Sequence, residues 1–132
     1  MIYVIDTFAW IEYFKGSKQG LIVKRLFGDG KNKFITMECC LSELRGFCLK
    51  NNMDFDRLYT IVNRNSIILP VMRDLWINAA KVRFELRKTI KNFGLIDSIL
   101  VAKQQKLKCK IVSGDPHFKS LRNVIYLDKK FE

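Results

Sequence analysis

Residues 1–14 read M-I-Y-V-I-D-T-F-A-W-I-E-Y-F, and this stretch decides the fold. Ile2 to Ile5 is a continuous apolar run rich in β-branched residues, the pattern of a strand buried on both faces of a parallel sheet. The run stops at Asp6, after which apolar residues recur at Phe8 and Ile11 as the chain turns into a helix. Asp6 therefore stands where a buried strand leaves the sheet. In open α/β sheets the ligand crevice lies beyond the carboxyl ends of the strands, where the strand order reverses. A carboxylate buried there, with no cation beside it in sequence, needs a metal, a distant base or water. Asp6 also suits a helix N-cap, so the case for a site turns on whether other acids fall at equivalent places.

Outward from this stretch, the pattern alternates. Short helices are expected at Phe8–Phe14 and Leu21–Phe27, the second stopped by Gly28-Asp29-Gly30. A strand follows at Lys33–Thr36, then a helix at Glu38–Leu49 with Cys40, Leu41, Leu44, Phe47 and Cys48 on its apolar face. Asp54–Arg64 is expected to be helical, and Ser66–Val71 a strand that Pro70 ends or places at an edge. A long helix from about Leu75 to about residue 90 is broken at Gly94, and another runs from Leu95 to Leu107. Lys110–Ser113 and Asn123–Leu127 are the last strands, with one helical turn at His117–Leu121 between them. Strands alternating with helices predict an α/β domain with a mainly parallel, roughly five-stranded sheet. There are no repeats and no linker, so one domain spans residues 1–132.

Composition narrows the function classes. No apolar run approaches the roughly 18 residues that span a membrane, and Met1 leads straight into the first strand, so neither membrane insertion nor a signal peptide is expected. Cys39, Cys40, Cys48 and Cys109 form no C-x-x-C pair, and there is a single histidine. That argues for reduced, buried thiols in the cytoplasm and against a zinc site. The net charge is +11, and residues 81–110 hold nine Lys/Arg against two acids. Such clustering attracts a polyanion; the alternative is an ordinary lysine-rich surface.

The acids fall in a pattern. Asp115 follows the strand K-I-V-S by one glycine, so parallel strands carry Asp6 and Asp115 to the same rim. Asp97 opens the helix I-D-S-I-L-V-A-K, where a carboxylate also suits capping. Glu43 borders the apolar face of its helix. Four carboxylates at one rim do not all stay ionised without cations. Mg²⁺ or Mn²⁺, which takes oxygen ligands and is bridged by carboxylates and phosphates, suits such a set. Thr7 and Ser113 place hydroxyls beside Asp6 and Asp115, to orient a carboxylate or to cap turns.

These pieces resemble the PIN domain: D-T at the first strand end, S-E-L-R-G in a helix, G-L-I-D-S-I-L-V-A before a basic strand, then I-V-S-G-D-P-H-F. The resemblance covers nearly the whole chain and is strongest to the VapC-type ribonuclease toxins of prokaryotic toxin–antitoxin pairs. It implies a three-layer α/β/α fold and an RNA-hydrolysing site that binds Mg²⁺ or Mn²⁺ through Asp6, Glu43, Asp97 and Asp115. Thr7 and Ser113 match the accompanying hydroxyl residues, and Gly46 the small residue after the helix acid. His117 stands where the family often carries a further acid, which weakens Asp115 and leaves a role near the metal open to His117. The resemblance also implies a homodimer and an antitoxin partner whose Arg enters among the acids.

Two other readings remain: a PIN nuclease of RNA processing, and a non-catalytic α/β module that binds RNA or protein. Against a receiver-like module, Asp6 has no acidic neighbour. Trp10, Trp76 and the ten Phe are assigned to core and dimer packing rather than base stacking, because they fall at helical spacing with Leu and Ile.

Overall fold

The computed structural model describes residues 1–128; the last four residues of the expected domain lie outside that range. Five strands, β1 (Ile2–Ile5), β2 (Lys33–Met37), β3 (Ile67–Leu69), β4 (Lys110–Ser113) and β5 (Val124–Tyr126), form one sheet in the order β3-β2-β1-β4-β5. Every pairing is parallel. The chain builds outward from β1 to β3 on one side, then returns to lay β4 on the other side of β1. The strand order therefore reverses between β1 and β4, the two strands that end at Asp6 and just before Asp115.

Alternation along the strands feeds two cores. Val4, Ile35, Met37 and Ile111 face one layer, with Leu75, Ala79 and Val82 of α5 (Arg73–Leu86) and Ile99 to Ala102 of α6 (Leu95–Leu107). Tyr3, Ile5, Phe34 and Val112 face the other, with Trp10 of α1 (Thr7–Lys15), Val23 of α2 (Lys18–Gly28), Leu44 and Cys48 of α3 (Cys39–Lys50), and Leu58 and Val62 of α4 (Phe55–Asn65). This is the expected three-layer α/β/α arrangement. The buried Trp10 indole donates to Thr36 Oγ1 at 3.0 Å, which satisfies its one polar atom.

Some boundaries move for local reasons. Helix α2 begins at Lys18 rather than Leu21 because Ser17 caps it, its hydroxyl accepting from Gly20 N at 3.0 Å. Strand β3 keeps only three residues, since Pro70 has no N–H to extend the ladder. Helix α5 ends at Leu86, not near residue 90: the Thr89 and Lys88 amides bond three residues back, and the chain tightens into turns. The turn after β4 is a short 3₁₀ segment, Pro116–Phe118. Trp10 belongs to the core, but Trp76 and Phe84 are 41% and 68% exposed, so helical spacing did not place them inside this chain.

No helix of the described residues is long and apolar enough to cross a membrane. Cys40, Cys48 and Cys109 are buried free thiols, as expected; Cys39 is half-buried.

Candidate active site

The rim at the carboxyl ends of β1 and β4 gathers the acids. Asp6 leaves β1 fully buried and caps α1, its Oδ1 accepting from Ala9 N at 2.8 Å. The capping reading of Asp6 is thus correct, and it is only half of what the residue does. Its carboxyl also accepts a hydrogen bond from the Ser113 hydroxyl. Ser113 Oγ in turn accepts from Asp115 N at 3.0 Å, so one buried serine ties the two strand-end acids together.

Asp115 caps the 3₁₀ turn, accepting from His117 N at 2.9 Å. Asp97 is the third residue of α6, whose N-cap is Gly94. It is the acid of the helix's first turn, where the dipole favours a carboxylate, and it also faces Asp115 and Glu43. Ligand atoms of Asp97, Asp115 and His117 lie within 4.8 Å of one another. His117 Nδ1 is 3.7 Å from Asp115 Oδ1, so this imidazole joins the acids. Position alone could not assign it; its signal was its place in the motif where an acid is usual.

Asp6 and Glu43 flank this tightest group. Glu43 is exposed on α3 and is held by Thr7, whose hydroxyl donates to Glu43 Oε1 at 2.7 Å. Thr7 thus fixes a carboxylate instead of capping a turn. Gly114, between β4 and Asp115, is tightly placed: a Cβ there would run into the ring of Phe8, which would have to shift.

Electrostatics follow from this packing. Burial pushes the Asp6 carboxyl up to about 8, with Asp97 and Asp115 adding to the rise and the hydrogen bonds from Ser113 and Ala9 opposing it. Burial likewise raises Asp97 to about 7, aided by Asp115 and Glu43. Among the described residues no Lys or Arg pairs with Asp6, Glu43 or Asp97. Carboxylates that repel one another in a poorly solvated rim, without a protein cation, match the needs of a divalent ion. The carboxylate oxygens are hard donors of the kind that Mg²⁺ and Mn²⁺ take, and the His117 imidazole is a softer donor beside them.

The model of the PIN domain family matches residues 3–124. Among solved structures, the chain is similar to VapBC2 from Rickettsia felis bound to a promoter DNA fragment, at 17% identity and TM-score 0.70, covering 96% of this chain and 97% of that one. It is similar to a toxin–antitoxin complex from Klebsiella pneumoniae, at 17% identity and TM-score 0.69, covering 96% and 98%. It is also similar to VapC20 from Mycobacterium tuberculosis, a toxin that cleaves the sarcin-ricin loop, at 17% identity and TM-score 0.68, covering 99% and 92%. At these identities the likeness is one of fold. No curated protein sequence matches significantly.

Proposed function

The chain belongs to the PIN domain family, and from that premise we propose that it is a Mg²⁺- or Mn²⁺-dependent endoribonuclease, the toxin of a toxin–antitoxin pair acting in the cytoplasm. One observation carries the reading: Asp6, Asp97 and Asp115 converge where the strand order reverses, with no Lys or Arg paired with them among the described residues.

Asp97 and Asp115, with Asp6 beside them, would hold the ion, and it would supply Lewis-acid activation of water and neutralise charge on the scissile phosphate. Ser113 keeps Asp6 and Asp115 in register. Thr7 orients Glu43 at the outer edge, where its carboxylate can hold a water or a second ion. His117 sets its imidazole beside Asp115, with Nδ1 3.7 Å from the carboxylate.

The basic stretch of residues 81–110 supplies cations for the RNA backbone. An antitoxin that inserts an Arg among the acids would occupy the place of the ion. The exposed Met72, Trp76 and Ile77 at the start of α5 suit a homodimer contact. The test of the nuclease reading is direct: single-stranded RNA should be cleaved in Mg²⁺ or Mn²⁺ and left intact in EDTA. Undiminished cleavage in excess chelator would reject the metal mechanism, and no cleavage with either ion would reject the nuclease.

A further inference from the structure

On the C-terminal half of α5 and the turn after it, Ala80, Arg83, Phe84, Arg87 and Lys88 line a groove of about 410 Å³. The Phe84 ring is 68% exposed there. Lys88 Nζ lies 5.2 Å from the ring centroid and pairs with Glu85 at 3.1 Å, while Arg83 and Arg87 share the lining of the groove. An exposed aromatic among charged side chains is unlike the core of a protein contact, where charged residues are depleted.

Arg87 Nε donates to the Phe93 carbonyl at 2.8 Å, tying the end of α5 to the loop that enters α6. The buried Phe93 ring lies 6.1 Å from the His117 imidazole, so the loop that Arg87 holds is packed against the acid cluster.

We propose that Phe84 is a base-stacking platform for single-stranded RNA, with Arg83, Arg87 and Lys88 beside it for the flanking phosphates. This rests on the nuclease reading and adds where the strand is held. An aromatic face stacks any base, and a cationic groove follows the backbone. The platform therefore adds affinity for nucleotides in general, without selecting among the four.

The test is equilibrium binding in EDTA of a labelled single-stranded RNA and of an abasic strand of equal length, read by fluorescence anisotropy. The wild type should prefer the base-bearing strand. Phe84→Ala should weaken that strand by about 5- to 100-fold and leave the abasic strand and the salt dependence unchanged, while Phe84→Tyr restores the preference. With Mg²⁺, Phe84→Ala should raise KM and spare kcat. Equal binding of the two strands by the wild type, or no loss in Phe84→Ala, would overturn the proposal. So would a shift from dimer to monomer in Phe84→Ala with RNA preference unchanged, since the ring would then belong to a protein contact. Because binding is read without metal, a failure to cleave strikes the nuclease reading and leaves this result to be judged separately.

Discussion

Asp6 shows how one side chain serves both local structure and the site. Its Oδ1 caps α1, and its carboxyl also faces Asp97 and Asp115 in the rim. The cap was legible because a strand end followed by a helix start demands a capping residue. The link to Asp115 through Ser113 was not, since it depends on two strands distant in sequence lying side by side. Asp6→Asn keeps the size of the side chain and its cap acceptor but removes a charge whose proton is lost only at about 8 in the fold. The sign follows from linkage: a carboxyl raised in the folded state binds more protons there than when unfolded, so stability falls as pH rises from about 4 to about 8. Thermal melts of the metal-free protein should show this decline, which Asp97 reinforces up to about 7. In Asp6→Asn the decline should be shallower, with a gain of about 1–3 kcal/mol over wild type at pH 8. An identical pH profile in the variant would mean that Asp6 is not strained in the rim. Thr7→Val, which removes the donor to Glu43, should cost about 10-fold in cleavage rate with little change in stability.

Among the elements, the strand–helix alternation was readable because buried parallel strands are continuous apolar runs and the amphipathic helices repeat at their own period. Sequence erred at element ends. Where α5 stops depends on Arg87 bonding to Phe93 across the following turn, and no pattern within the helix records that contact. Which face of α5 lies open was equally illegible, because apolar spacing does not say whether the covering partner is in the same chain. Two glycines test how the elements hold the rim. Gly114→Ala would push the new methyl into Phe8, displacing either α1 or the end of β4. It should cost about 1–3 kcal/mol and lower cleavage with it. Gly46 lies inside α3 with open space where a Cβ would sit. Gly46→Ala should therefore stabilise by up to about 1 kcal/mol and leave cleavage intact. Paired melts and rates decide it: equal tolerance of both changes would mean that the β4 end does not set the geometry of the acids.

The whole molecule combines a net charge of +11 with a small acidic rim. This combination was legible from counting; the fact that the acids share that rim needed the strand order. A strongly cationic chain proposed to cut RNA should show RNA affinity that falls steeply with salt. Between about 50 and 200 mM the loss should reach 10-fold or more, and a flat response would remove residues 81–110 from substrate binding. The exposed apolar end of α5 predicts that Trp76→Ala together with Ile77→Asp shifts a dimer to monomer in light scattering, while a wild type that is already monomeric at micromolar concentration would end the dimer proposal. The central claim, that rim acids and not acids in general carry metal-dependent cleavage, is tested most directly by RNA cleavage rates in Mn²⁺ across a matched set. Loss of a residue that merely supports a metal ligand costs 10- to 100-fold. Asp6→Asn, Asp97→Asn and Glu43→Gln should therefore each lose more than about 100-fold while melting at or above the wild-type temperature. Glu38→Gln, on the same side of the sheet but with its carboxyl accepting from Val71 N, should cleave like the wild type. Full cleavage by Asp6→Asn and Glu43→Gln would contradict the account.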